Sequence, residues 1–275
     1  MATQAEKAEK FRALHAREGA FIIPNPWDAG SARMLAALGF EALATTSAGY
    51  AFSIGRLDGK VALAEMIAHC RTLCAASDLP LSADLENCYA DDPKQAANTI
   101  LLAAEAGVVG ASIEDYSNDD AKPIYDFGYA VERVHAAVEA ARSLDFPFTL
   151  TARAENLLRG RNDLDDTVRR LQAFEKAGAD VLYAPALTTL AQVRTVTGAV
   201  SKPVNVLAPA LKGVTLAQLA EAGAKRISIG GALARAAIAA LLRAGREMRD
   251  QGSFGWTSDL ASGADIKKLL DPWNR

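Results

Sequence analysis

Short apolar, β-branched runs alternate along the chain with longer Ala- and Leu-rich stretches whose apolar residues recur at helical spacing. The short runs predict strands over 21–26 (FIIPNP), 42–47 (ALATTS), 81–86 (LSADLE), 110–115 (GASIED), 148–155 (FTLTARAE), 181–185 (VLYAP), 203–207 (PVNVL) and 226–230 (RISIG). The longer stretches predict helices over 28–38, 60–77, 93–106, 127–143, 162–177, 188–198, 215–221 and 232–250. Gly39, Gly107, Gly178 and Gly223 each stand just after a helix and just before a strand, where a left-handed C-cap belongs. Strands and helices in this number and alternation are those of an α/β fold, the (β/α)₈ TIM barrel. An open doubly wound sheet is the alternative, but the first turn lacks a GxGxxG fingerprint. We therefore expect a single barrel domain over 1–250 and an additional C-terminal helical segment over 251–275. Trp256, Trp273 and the amphipathic ASGADIKKLL of that segment predict docking, either onto the barrel or onto a neighbouring subunit.

Composition narrows the class. Of the 275 residues 50% are apolar and 23% charged, enough to bury a large core without disulfides or structural metals. A net charge of −3, with both signs mixed along the chain, argues against a nucleic-acid partner. No apolar run approaches the ~18 residues of a membrane span. The N-terminus, MATQAEKAEKFRALHAREG, has no apolar core of a signal peptide, so a cytoplasmic protein is expected. Cys70, Cys74 and Cys88 are too few for a disulfide framework, and the first two, four apart on a helix, read as buried thiols.

In a barrel, chemistry lies at the C-terminal ends of the strands. There the third strand carries Asp84 and Glu86, the fourth Glu114 and Asp115, and the fifth Arg153 and Glu155 followed by Asn156. The second ends in Thr45, Thr46 and Ser47, followed by Ala48, Gly49 and Tyr50, and the next loop holds Arg56 and Asp58. Like charges gathered at one mouth raise one another's pKa unless a cation joins them. A hard divalent ion with oxygen ligands is the fitting partner; Mg²⁺ suits best and Mn²⁺ is an alternative. Arg153 offers a planar fork for a carboxylate or phosphonate. The competing reading is that these acids only form salt bridges in the polar layer of the barrel. His15, His69 and His135 all fall on helices away from the strand ends, so histidine acid–base chemistry is not expected. Lys122 lies in SNDDAKPIYDFG after the fourth strand, either a lid over the mouth or a solvated loop.

The series TTSAGY, SADLENCY, ASIEDY and LTARAE, in this order on these strands, resembles the isocitrate lyase/phosphoenolpyruvate mutase superfamily over about residues 11–250. The resemblance implies that Ser47, with Ala48 and Gly49, holds the substrate carboxylate and 2-oxo group, with Tyr50 and Asn205 as further substrate contacts. It implies Asp84 as direct Mg²⁺ ligand, with Glu86, Glu114 and Asp58 on metal-bound waters. Arg153 is implied to bind the leaving or migrating end of the substrate, so Asp58, Glu114 and Arg153 are the expected catalytic residues. It further implies a homotetramer in which a C-terminal helix passes between subunits.

The departures bear on the reaction. Glu86 replaces the usual second Asp, Cys88-Tyr89-Ala90 replaces Gly-Tyr-Gly, and SNDDAKPIYDFGYA replaces the Lys-Lys-Cys-Gly-His gate of the lyases. Cleavage of isocitrate or methylisocitrate needs an acid that this loop lacks, and Cys88 holds a different motif position. Decarboxylation of an oxaloacetate-like acid through an enolate is less demanding, because CO₂ leaves as a neutral gas. The expected activity is thus that of a Mg²⁺-dependent carbon–carbon lyase or decarboxylase of a small 2-oxo or 2-hydroxy carboxylic acid. Phosphorus–carbon chemistry, with Asn118 and Lys122 in the lid, is the alternative. A methylisocitrate-type lyase comes next, and a non-enzymatic binding barrel last.

Overall fold

The structure, a computed structural model, describes residues 2–273; Asn274 and Arg275, which end the predicted C-terminal segment, lie outside the described residues. The elements run α1 (Gln4–Ala16), β1 (Phe21–Ile23), α2 (Ala29–Ala37), β2 (Leu43–Ala44), α3 (Ser47–Ser53) and α4 (Leu63–Ala76). They continue with β3 (Leu81–Asp84), α5 (Pro93–Glu105), β4 (Gly110–Glu114), α6 (Phe127–Arg142), β5 (Thr149–Arg153) and α7 (Leu164–Lys176). Then follow β6 (Val181–Tyr183), α8 (Leu190–Gly198), β7 (Val204–Leu207), α9 (Leu216–Glu221), β8 (Arg226–Ser228), α10 (Ala232–Gln251) and α11 (Gly263–Leu270).

All strand pairs are parallel, in the order β1-β8-β7-β6-β5-β4-β3-β2, which is a (β/α)₈ barrel open only at the β1/β2 seam. The seam is bridged without a ladder. The Ala44 amide donates to the Pro24 carbonyl at 3.1 Å. Beside it, buried Asn25 donates its side-chain amide to the carbonyls of Ala44 (3.2 Å) and Thr45 (2.9 Å). Its Oδ1 accepts from the amides of Ile229 (3.0 Å) and Gly230 (2.9 Å), so one side chain ties β2 to the end of β8. Gly39, Gly107, Gly178 and Gly223 all take the left-handed conformation expected of them, with φ of 90°, 102°, 104° and 87°.

Two local readings change. The second strand was expected to reach Ser47, but β2 stops at Ala44 and Ser47 opens α3. The cause is Thr46, whose extended backbone and side chain, accepting from the Gly49 amide, make it an N-cap. The eight predicted helices also omit α1, which starts with a capping box between Thr3 and Glu6. Ala8, Phe11 and Leu14 of α1 form a small core with Phe21, Ile23, Ala42 and Val109, closing the N-terminal end of the barrel. Phe11 and Leu14 are the large apolar residues of this helix, the rest being alanines among charges, so its periodicity is weak. The C-terminal segment folds as short helical turns with α11 packed against α2 of the same chain.

Candidate active site

A cavity of about 160 Å³ opens at the C-terminal ends of the strands. That is small beside the roughly 300–1,000 Å³ of sites for drug-sized ligands. Ser47, Ala48, Asp58, Asp84, Arg153 and Asn205, all expected in the site, line it together. Gly49, Tyr50, Glu86 and Glu114, also expected there, do not line it. The Gly49 amide is spent on the Thr46 cap, and a Cβ there would meet the Thr46 methyl at 2.5 Å, so this glycine serves close packing. The Tyr50 ring instead stacks on His69, with centroids 3.8 Å apart and planes 12° from parallel.

Asp84 ends β3 where neighbouring strands can reach it. Its amide donates to Thr45 Oγ1 (2.7 Å), its Oδ2 accepts from the Ser47 amide (3.1 Å), and its Oδ1 from Arg153 Nη1 (3.0 Å). The loop that follows is strained: Glu86, Cys88 and Tyr89 have φ of 52°, 58° and 55°. Each such residue costs on the order of 1–3 kcal/mol, so something must hold the loop. Arg133, fully buried on α6, does so by donating to the carbonyls of Asn87 (2.5 Å), Ala90 (2.6 Å) and Asp91. The loop in turn aims buried Glu86 at the mouth, where the Tyr89 hydroxyl donates to its Oε1 (3.2 Å).

Arg153, at the end of β5, is ringed by acids. Beyond Asp84 it meets Glu114 Oε2 at 3.1 Å and Glu155 Oε1 at 2.7 Å, and its guanidinium lies 4.9 Å from the centre of the Tyr183 ring. Arg159 adds a second cation to Glu155 (3.2 Å) and lies more distantly from Glu114 (3.8 Å). Asp115, although next to Glu114 in sequence, turns away from the mouth. It accepts from the Glu155 amide (2.7 Å) and pairs with buried Arg170 (3.0 Å), which also holds Asp166 (2.9 Å). For Asp115 the salt-bridge reading is therefore the right one.

The mouth remains short of positive charge. Burial, then Asp84, then Asp58, pushes the Glu86 carboxyl up to about 7. Glu114 is raised well above the usual range by burial, against the pull of Arg153. Asp58 is shifted upward by lost solvent and then by Asp84, while a hydrogen bond from the Ser47 side chain opposes the shift. Among the described residues no three His, Cys, Asp or Glu side chains converge closely enough to grip an ion directly. The all-oxygen donor set of Asp58, Asp84, Glu86 and Glu114 and the upward-shifted acids fit a hard divalent cation.

The remaining candidates stand apart. Lys122 pairs with Asp126 at the surface (2.6 Å) instead of entering the cavity. Asn118, with φ of 61°, is the lid residue nearer the site, its Oδ1 facing Gly59 beside Glu86. The Cys88 thiol is wholly buried and pushed up to about 12, which removes it as an acid. Sequence reasoning missed Arg133, Arg159, Arg170 and Arg226. The last opens the short strand β8 (Arg-Ile-Ser), where a polar first residue gives no signal of its own.

A profile of the phosphoenolpyruvate phosphomutase family matches residues 11–249. An uncharacterized protein of Mycobacterium tuberculosis (strain H37Rv) is 30% identical over 241 residues, 87% of this chain and 89% of its own length. An oxaloacetate decarboxylase of Paraburkholderia xenovorans is 30% identical over 206 residues, covering 70% and 66% of the two chains. The crystal structure of a candidate lyase/mutase from Burkholderia cenocepacia superimposes with a TM-score of 0.94 at 57% identity, covering 97% of this chain and 96% of the other. 2-Methylisocitrate lyases are also among the relatives.

Proposed function

Since the chain belongs to the phosphoenolpyruvate phosphomutase family, within the isocitrate lyase/phosphoenolpyruvate mutase superfamily, we propose that it is a Mg²⁺-dependent lyase that decarboxylates an oxaloacetate-like acid. The observation that carries this reading is the group of acids around Arg153: Asp58 and Asp84 line a small cavity, Glu86 and Glu114 stand behind them, and among the described residues no Cys or His lines it. Loss of CO₂ requires stabilisation of the developing enolate but no acid on the departing fragment.

Asp84 would hold the metal, with Asp58, Glu86 and Glu114 on its water shell. Bound there, Mg²⁺ supplies Lewis-acid polarisation of the 2-oxo oxygen. The Ser47 hydroxyl and Ala48 amide, at the start of α3, orient the adjacent carboxylate. Arg153, set by Glu155 and Tyr183, faces the group that departs. As the carbon–carbon bond breaks, its electron pair enters the enolate and CO₂ leaves. Asp58, a cavity-lining carboxyl shifted upward by burial and then by Asp84, would return a proton to the carbon that lost CO₂.

Exposed apolar residues on α10 and just after it, among them Leu241 (69% exposed) and Phe254, support assembly with further copies, a homotetramer being the form the resemblance implies. No helix among the described residues is long and apolar enough to cross a membrane. The free Cys70, Cys74 and Cys88 accord with a reducing, cytoplasmic setting.

The test is pyruvate release from oxaloacetate by the purified protein, with Mg²⁺ and with chelator, corrected for decarboxylation by the metal alone. Chelator-sensitive release above that correction is expected. Its absence, with phosphate release from phosphonopyruvate in a parallel run, would transfer the site to phosphorus–carbon chemistry.

A further inference from the structure

Three residues in the loop after β3 hold the left-handed backbone that favours glycine, yet none of them is glycine: Glu86, Cys88 and Tyr89. A loop needed only to turn the chain would relieve that strain with glycine. Here the side chains have work. The Tyr89 hydroxyl donates to Glu86 Oε1, and Cys88 is wholly buried. Glu86 Oε2 lies beside Gly59, the neighbour of Asp58, where an added Cβ would sit 3.8 Å from it. Such strain persists only where the surroundings over-determine it.

What over-determines it lies behind the mouth. Arg133 is 1% exposed on a face of α6 it shares with Ala130, Val134 and Ala137, where an aliphatic residue would cost less to bury. Its terminal nitrogens go to the carbonyls of Asn87, Ala90 and Asp91 rather than to a carboxylate. Its guanidinium lies 4.4 Å from the centre of the Tyr125 ring. The Tyr125 hydroxyl in turn donates to Asp91 Oδ1 and accepts from Asn87 Nδ2 (3.2 Å), while Asn87 Oδ1 accepts from the Tyr89 amide (3.1 Å). Tyr125 is itself fixed at both ends of its backbone: its amide donates to the Asp115 carbonyl (2.9 Å), and its carbonyl accepts from Arg170 (3.0 Å). A chain of contacts thus runs from the Asp115–Arg170 cluster through Tyr125 and Arg133 to the residue next to Glu86. Neither Arg133 nor Tyr125 lines the cavity.

We propose that Arg133 and Tyr125 are positioning residues for the proposed metal site, fixing the backbone of residues 86–91 so that the Glu86 carboxylate stands with Asp58 and Asp84. Their effect on metal affinity passes through Glu86. This rests on the metal-dependent reading given above.

Calorimetric titration of Mg²⁺ tests it in a double-mutant cycle with Glu86→Gln. Arg133→Met should weaken Mg²⁺ roughly tenfold or more, the loss expected when the support of a metal site is removed. In the Glu86→Gln background the same change should cost less than about twofold, because the carboxylate it positions is gone. Arg133→Lys should keep part of the affinity. Tyr125→Phe leaves the ring under Arg133 and removes only the hydroxyl, so it should weaken Mg²⁺ about threefold, again only with Glu86 present. Phe11→Ala, in the distant α1 plug, should lower the melting temperature yet leave the Kd within about twofold. Losses from Arg133→Met and Glu86→Gln that multiply, or a Kd that Arg133→Met leaves unchanged while the melting temperature falls, would overturn the proposal and leave the metal-dependent reading intact. Equal weakening by Phe11→Ala would overturn it in the same way. Should Arg133→Met fail to fold, an unchanged Kd in Tyr125→Phe decides against it. Failure of the native protein to bind Mg²⁺ would overturn both readings.

Discussion

The mouth and the floor of the cavity are opposite in charge. At the mouth Asp58, Asp84, Glu86, Glu114 and Glu155 share Arg153 and Arg159, and several of these acids are pushed toward their protonated forms. On the floor Arg226 is surrounded by Asn205, Thr151 and Tyr183, with no acid to neutralise it. One end is short of cations and the other has no acid. This imbalance is what supports the proposed metal site over a salt-bridge lattice. The buried cluster of Asp115, Arg170 and Asp166 shows what a self-sufficient lattice in this same barrel looks like.

The sharpest way to break the contrast is Asp84→Ala. Removing the proposed metal ligand should lower chelator-sensitive turnover by roughly a thousandfold while the fold persists, as circular dichroism would show. An unchanged rate would place the chemistry elsewhere. Next come the two guanidiniums, compared by urea unfolding without ligands. Arg153→Met strands Glu114 and Glu155 in a buried setting and should cost about 3–5 kcal/mol. Arg226→Met loses two hydrogen bonds but also an unpaired charge, so a change within about 2 kcal/mol is expected.

The acids at the mouth predict a pH dependence. With its carboxyl at about 7 instead of near 4.5, Glu86 in the folded, metal-free protein holds a proton that the unfolded chain has lost. Stability therefore falls as pH rises from about 4.5 through 7, by up to about 3 kcal/mol from this group. Mg²⁺ should bind more tightly across the same rise and release protons, which calorimetry in two buffers of different ionisation enthalpy can read. Glu86→Gln should flatten both curves. Last, Lys122→Ala removes only a surface pair with Asp126, so turnover should stay within about twofold. A large loss there would make the lid catalytic.

The barrel was legible because its signals are local: strand runs, helical spacing and glycines after helices such as Gly178 each concern a few neighbouring residues. The acid cluster was legible too, since Asp84 and Glu114 end strands and Glu86 follows one, positions where a purely structural strand would avoid charge. What stayed hidden depends on pairing across the fold. Asp115 and Glu114 are adjacent in sequence, yet only the placement of Arg170 on α7 tells them apart. Arg133 looks like any charge on a helix until it is found inside, holding the Glu86 loop. Arg226 reads as the polar start of a short strand, and only the fold shows it buried against Asn205 and Thr151.

The most direct measurement is calorimetric titration of Mg²⁺ into the native protein and into Asp84→Ala at pH 8. A single site per chain in the native protein, absent from the variant, is the result predicted by an acid ring that awaits a cation. No binding to the native protein, or equal binding to both, would contradict it.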